Sequence, residues 1–255
     1  MYILLTNDDG VDAPGLFALK QALAPLGRVE IVAPDRNWSS SGHTITMDRP
    51  LRIRSVKLSD GTEAYASDGA PSDCVAVAVL GFLKARPSLI VSGINPTANL
   101  AHDMTYSGTV SAAMEGAMNN IPSFAISLDR TEAPPDFAMA AEFALRLARK
   151  VLREGLPKDT FLNVNVPARS RAQIRGVRIT RAGKRIYRDE LIERIDPRGG
   201  KYYWIGGQAP SGATDVEGTD MWAIANGFIS ITPVHMDLTS HAMVDKLQDW
   251  AEELE

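Results

Sequence analysis

Apolar positions along the chain fall into short unbroken runs separated by stretches with three- and four-residue spacing, and the two patterns alternate. Tyr2–Thr6 is an unbroken run of the kind found in a strand covered on both faces. Pro14 and Gly15 then precede Leu16, Leu19, Leu23 and Leu26, whose spacing predicts a helix opened by the proline. Residues 29–33 read as a second strand, and 34–42 as a polar loop leaving it. Residues 63–66 form a further short strand, Asp68 and Gly69 a turn, and Pro71 starts an apolar helix through Phe82. A buried strand follows at 89–92, then a loop at 93–95 and a helix of small residues at 107–116, with Ser107 or Thr109 as its cap. Ser123–Leu128, a helix at 137–152 and a strand at 161–166 complete the alternation. The pattern predicts an α/β fold: a Rossmann-like, three-layer arrangement with a mostly parallel sheet between helices.

Beyond Pro167 the texture changes. Residues 177–204 mix basic, aromatic and β-branched side chains with Gly183, Gly199 and Gly200, which predicts hairpins projecting from the main layer. Residues 228–233 return as a strand and 241–254 as an amphipathic acidic C-terminal helix. The expectation is one domain over residues 1–255 with a projecting β-hairpin arm at about 170–240. An arm carrying Tyr202, Tyr203 and Trp204 that cannot bury itself implies at least a dimer.

Composition narrows the class. With 255 residues, 45% hydrophobic and 23% charged, the chain has material for a sizeable core. A net charge of −4 argues against a protein that coats nucleic acid, so no stable nucleic-acid partner is expected. The one cysteine, Cys74, excludes an internal disulfide framework and a thiolate zinc site, and its apolar neighbours read as core. Charges at Asp8 and Asp9 interrupt the opening apolar residues, and the run 74–83 is too short to span a bilayer. No membrane association and a cytoplasmic location are the corresponding expectations.

Chemistry concentrates at the strand exits, where ligands bind in open parallel sheets. Asn7-Asp8-Asp9-Gly10 leaves the first strand. Adjacent carboxylates there raise each other's pKa values unless a cation neutralises them, although an Asp-rich turn accounts for the same residues. Ser39 lies in the loop after the second strand, and Asn95 follows the strand at 89–92. Two carboxylates, a hydroxyl and an amide make an oxygen shell suited to one divalent ion, Mg2+ or Mn2+. Asn99, Ser107, Gly108 and Thr109 precede or open a helix whose N-terminus favours an anion, which makes them candidates for binding phosphate; plain capping is the alternative.

Several blocks, taken in order, resemble the SurE survival protein family of metal-dependent 5'/3'-nucleotidases. They are Asn7-Asp-Asp-Gly10, Ala33-Pro-Asp-Arg36 with Ser39, Ser92-Gly-Ile-Asn95, and Tyr106-Ser-Gly-Thr-Val110 with Ala112, Ala113, Glu115 and Gly116. Agreement continues through Leu162-Asn-Val-Asn-Val-Pro167, Thr219-Asp220, Ser230-Ile-Thr-Pro233 and Asp237-Leu-Thr239, and so covers nearly the whole chain. The resemblance implies Asp8, Asp9, Ser39 and Asn95 as metal ligands and an arm used in dimer or tetramer assembly. Where the family usually carries glycines around the asparagine loop, this chain has Pro96, Thr97, Ala98 and Ala101, which predicts a different loop if those glycines have positive φ.

The implied activity is hydrolysis of nucleoside 5'- and 3'-monophosphates to nucleoside and phosphate, extending to short polyphosphate, with Asp8 and Asp9 as the catalytic pair. A nucleotide-binding regulatory module without turnover and a metal-dependent deacetylase are the rival readings, the latter lacking histidines in the first strand loop. His43 is the one histidine close to this constellation in sequence, as a leaving-group acid or as a supporting residue behind the metal ligands. From 169 to 188 the chain holds eight Lys or Arg and no acid. That run either attracts phosphate-rich ligands or pairs with Asp189, Glu190 and Glu193 or another subunit, and the second reading is preferred.

Overall fold

The computed structural model describes residues 1–129, 134–212 and 214–255, with backbone alone at 186–189, 206–211 and 252. Its elements are β1 (Tyr2–Thr6), α1 (Pro14–Leu23), β2 (Arg28–Pro34), β3 (Ile53–Lys57), β4 (Glu63–Ser67), α2 (Pro71–Val77), β5 (Leu89–Asn95), α3 (Gly108–Met118) and β6 (Ser123–Leu128). There follow α4 (Ala138–Glu154), β7 (Thr160–Val166), β8 (Val177–Ile179), β9 (Arg185–Ile195), β10 (Lys201–Gly212), α5 (Asp220–Ala225), β11 (Ile229–His235), α6 (His241–Lys246) and α7 (Gln248–Leu254).

Nine strands form one sheet in the order β3-β4-β2-β1-β5-β6-β7-β11-β8. Only β3/β4 and β7/β11 pair antiparallel within it, so the sheet is mostly parallel, as the alternation predicts. The chain builds outward from β1 through β2 on one side and from β5 through β6 and β7 on the other. That reversal puts the ligand-binding crevice of a doubly wound sheet outside the carboxyl ends of β1 and β5.

Alternation along β1 explains its unbroken apolar run. Ile3 and Leu5 join the core with Leu16, Leu19, Phe143 and Leu147 of α1 and α4, whereas Leu4 joins Cys74, Val75, Ile90 and Ala112 beside α2 and α3. Each of these buried leucines and isoleucines contributes about 1.5–3 kcal/mol. Gly15 allows α1 to lie on the end of β5, since a Cβ there would stand 2.0 Å from the carbonyl oxygen of Ile94. Cys74 is fully buried, and burial pushes its thiol well above the ordinary range, reinforced by the neighbouring charge of Asp73.

Several details differ from the sequence expectation. Residues 93–95 continue β5 rather than forming a loop, and a register shift against β6 falls between Gly93 and Asn95. The apolar helix from Pro71 keeps α-helical form only to Val77; the chain continues in a wider turn to Phe82, with Gly81 at φ 127°. β8 does not join a hairpin but pairs with β11 at the edge of the main sheet, leaving β9 and β10 as the separate antiparallel hairpin. The C-terminal acidic helix is two short helices broken at Leu247, and their apolar residues Met243, Val244, Trp250 and Leu254 lie exposed with nothing to align a continuous helix.

Candidate active site

Beyond the carboxyl ends of β1 and β5 opens a cavity of about 480 Å3 lined by Asp8, Asp9, Ser39, Asn95, Asn99 and Ser107. A smaller hollow of about 240 Å3, beside Asn120, Gly155, Lys158 and Thr160, lies at the opposite end of the strands. The six side chains named for the larger cavity come from separated segments of the chain, and each is among those singled out in the sequence.

Local backbone bonds fix the first carboxylates. Asn7 Nδ2 donates to the carbonyl of Gly10 at 2.9 Å, closing the turn after β1, and Trp38 N donates to the carbonyl of Asp8 at 2.7 Å. Val11 N donates to Pro34 O at 2.8 Å, so the exits of β1 and β2 are fastened together and Ser39 comes to the cavity wall. Asp8 is 4% exposed, with its Oδ1 accepting from the Thr109 hydroxyl. Gly108 is required here, because a Cβ would stand 2.8 Å from Asp8 Cβ and 3.0 Å from Ser41 Oγ. Ser107 caps α3 by accepting from Val110 N at 3.2 Å.

Gly108 and Thr109 thus stand behind Asp8 and do not line the cavity; Ser107 and Asn99 do. Burial drives the Asp8 carboxyl above its ordinary range, against the lowering effect of bonds from the Thr109 side chain and the amides of Gly108 and Thr109. Asp9 is pushed up to about 6, first by burial and then by the charge of Asp8. Metal-free, the pair is held in a state that disfavours its own two charges.

Asn95 ends β5, and its amide nitrogen donates to the Thr97 carbonyl, leaving the amide oxygen for a ligand. Asn99 is held more elaborately. Its backbone N donates to Asn165 Oδ1 at 2.8 Å, its carbonyl accepts from Asn163 Nδ2 at 2.8 Å and Asn165 Nδ2 at 3.1 Å, and its own Nδ2 donates to Ser127 Oγ at 2.9 Å. The Asn-Val-Asn of β7 is therefore the clamp that positions the loop after β5. Ala101 adopts φ 52°, a left-handed conformation carried here by an alanine.

His43 does not line the cavity; its Nε2 lies 3.0 Å from Glu115 Oε2 on α3. The cavity wall also contains Tyr106, Asp103 and Arg185, which the sequence did not mark as site residues. Arg185 lay inside the basic run, but its partner Asp103 is far away in sequence, and no spacing signal joins them. The described arginines of that run do not pair with Glu190 or Glu193. Arg171 pairs with Glu142, Arg175 and Arg178 lie over the Phe228 ring, and Arg185 pairs with Asp103. Glu193 is met by Lys201 and the Tyr203 hydroxyl, while the side chains of Arg188 and Asp189 lie outside the described residues.

Among the described residues no three His, Cys, Asp or Glu side chains cluster as a metal site on their own. Any ion here would need the hydroxyl and amide oxygens beside the Asp pair. An oxygen-lined cavity carrying two adjacent carboxylates at the switch point of a doubly wound sheet defines the class: an α/β protein with a strand-end cavity at the usual place for a ligand. The family described as "Survival protein SurE" matches residues 3–189. Similar proteins include "5'-nucleotidase SurE" of Herpetosiphon aurantiacus, 53% identical over 248 residues and 97% of each chain. That of Chloroflexus aggregans is 50% identical over 251 residues, 98% of this chain and 99% of the relative. The crystal structure of the Sure protein from Aquifex aeolicus superposes with a TM-score of 0.82 at 43% identity, covering 100% of this chain and 99% of that one. The chain belongs to the SurE family.

Proposed function

We propose that this chain is a metal-dependent nucleotidase that hydrolyses nucleoside 5'-monophosphates, and 3'-monophosphates at the same site. The observation that carries the reading is the Asp8-Asp9 pair, both carboxyls raised by burial and Asp9 further by the charge of Asp8, inside a cavity whose lining includes the oxygens of Ser39, Asn95, Asn99 and Ser107. Relatives of the same length bearing the name "5'-nucleotidase SurE" support it.

Asp8, Asp9, Ser39 and Asn95 would hold one Mg2+ or Mn2+, the hard cations that an all-oxygen set suits. When bound, the ion supplies charge neutralisation at phosphoryl oxygens and acidifies a water. The chain's own residues do the rest. Thr109 keeps Asp8 oriented, Ser107 and Asn99 offer polar contacts to the phosphate, and Tyr106, 60% exposed at the rim, offers a ring face to the base. Attack by water on phosphorus releases the nucleoside hydroxyl and inorganic phosphate, with one oxygen of the product derived from solvent. In this reading short polyphosphate is a further substrate of the same site. The chain works in the cytoplasm, whose reducing conditions suit a lone thiol, and it assembles through the arm, where Trp204 and Ile205 are 63% and 82% exposed.

The test is phosphate release from a panel of 5'- and 3'-nucleoside monophosphates with Mn2+, Mg2+ or EDTA, for the native chain and Asp9→Asn. Release that needs metal and falls at least about a hundredfold in the variant is expected. Metal binding without release from any nucleotide would replace the reading with a binding module.

A further inference from the structure

Arg185, the first residue of β9, is a cationic member of the cavity wall that also contains Asp8, Asp9 and Asp103. One of its Nη atoms lies 3.0 Å from Asp103 Oδ2, and its buried Nε has no hydrogen-bond partner among the described residues. The Arg185 side chain lines the cavity and remains 21% exposed, and a guanidinium carries more donors than Asp103 and the enclosed Nε account for. The positions of both partners are set by a single buried carboxylate. Asp220 Oδ2 accepts from Ala101 N at 2.7 Å, two residues before Asp103, and Asp220 Oδ1 accepts from Gly183 N at 2.8 Å, two residues before Arg185. Asp220 is itself fully buried at the start of α5. The turn carrying Asp103 and the root of the hairpin carrying Arg185 are therefore held as one unit.

The charge distribution gives the guanidinium its role. Three carboxylates and Arg185 face the cavity. An ion held by Asp8 and Asp9 would neutralise that pair, and the outer oxygens of a phosphate dianion would still call for a counter-charge, for which Arg185 is the cation in the lining. A guanidinium presents its donors as a planar fork that matches phosphate oxygens, and Asp103 engages one arm of it. We propose that Arg185 is a substrate-binding residue that takes the phosphate of the nucleotide through guanidinium donors that Asp103 does not engage, with Asp103 as the positioning residue that orients it and Asp220 as the brace that ties both to the hairpin root. The inference rests on the nucleotidase reading of the cavity. It makes the hairpin root part of substrate recognition.

The experiment is calorimetric titration of inorganic phosphate into the Mn2+-loaded chain, native and as Arg185→Gln, Arg185→Lys and Asp103→Asn, together with Mn2+ affinity, KM and kcat for a nucleoside monophosphate. Arg185→Gln is expected to weaken phosphate binding and raise KM about tenfold or more, with Mn2+ affinity unchanged. Arg185→Lys recovers part of that loss, and Asp103→Asn gives a smaller rise in KM than Arg185→Gln. Unchanged phosphate affinity in Arg185→Gln, with a lowered Tm, would reduce Arg185 to an anchor of the hairpin and overturn the inference. If Arg185→Gln does not fold, Arg185→Lys decides: native phosphate affinity there overturns the proposal, because an ammonium lacks the fork. A native Mn2+-loaded chain that releases phosphate from no nucleoside monophosphate would instead remove the nucleotidase reading itself.

Discussion

At the scale of single residues, the site is made by giving two neighbouring carboxylates different surroundings. Asp8 is locked by Thr109 and the start of α3, while Asp9 is the more accessible and is pushed up to about 6. A folded-state carboxyl raised from 3.8 to about 6 binds its proton more tightly than the unfolded chain does. Its contribution therefore favours folding below about pH 3.8, is lost as the pH rises to about 6, and disfavours folding above that relative to an uncharged side chain. Without metal, Asp9→Asn is expected to melt a few degrees above the native chain at pH 7.5 and at the same temperature at pH 3.5, measured by calorimetry with EDTA present. Added Mn2+ is expected to raise the Tm of the native chain only. A second residue prediction concerns Ala101, held at φ 52° in a region that costs an alanine roughly 1–2 kcal/mol. Ala101→Gly should stabilise by about 0.5–1 kcal/mol in urea unfolding, the gain being limited by glycine's larger unfolded-state entropy. That Asp8, Asp9, Ser39 and Asn95 meet at the strand ends was legible because a strand run followed by oxygen donors is a local signal. Asp103 and Arg185 were not, because a pair formed across separate segments leaves no spacing to read.

At the scale of elements, unbroken apolar runs located the inner strands, since a strand covered on both faces has little room for polar residues. The strands and helices missed have physical reasons. β3 is exposed at three of its five positions and carries no apolar alternation, and α5 is only six residues long, too short to show a helical period. The extension of β5 through Asn95 was hidden by Gly93, which reads as a turn residue although the backbone there remains paired with β6. The motif Asn-Val-Asn in β7 was visible, but its task was not, because its partner is the backbone of Asn99 in a distant loop. Asn165→Ala removes the acceptor for Asn99 N and one donor to its carbonyl, so it should cost about 1–3 kcal/mol of stability. Under the proposed function, the same variant should raise KM for nucleotide more than it lowers kcat, because the loop it releases carries Asn99 rather than the Asp pair. Urea unfolding and steady-state kinetics on one preparation check both.

At the scale of the whole molecule, two of the places where the described surface leaves large apolar side chains uncovered bear on assembly. One is the β9–β10 hairpin, with Leu191, Ile195, Trp204 and Ile205 exposed; the other is the pair α6 and α7. The assembly proposed above predicts that Trp204→Ser with Ile205→Ser shifts the chain to a smaller species in sedimentation or light scattering. Phosphate affinity should survive in that variant, because Arg185 and its brace at Asp220 lie at the hairpin root rather than its tip.

The buried thiol of Cys74 makes the molecule its own reporter of unfolding. With one cysteine in the chain, fully enclosed beneath α2 among Leu4, Val32 and Ile90, labelling by a thiol reagent requires that layer of the core to open. The rate of that labelling, followed in dilute denaturant with and without divalent metal, measures how far a ligand clasped at the ends of β1, β2 and β5 holds shut the helix packed across the middle of those strands.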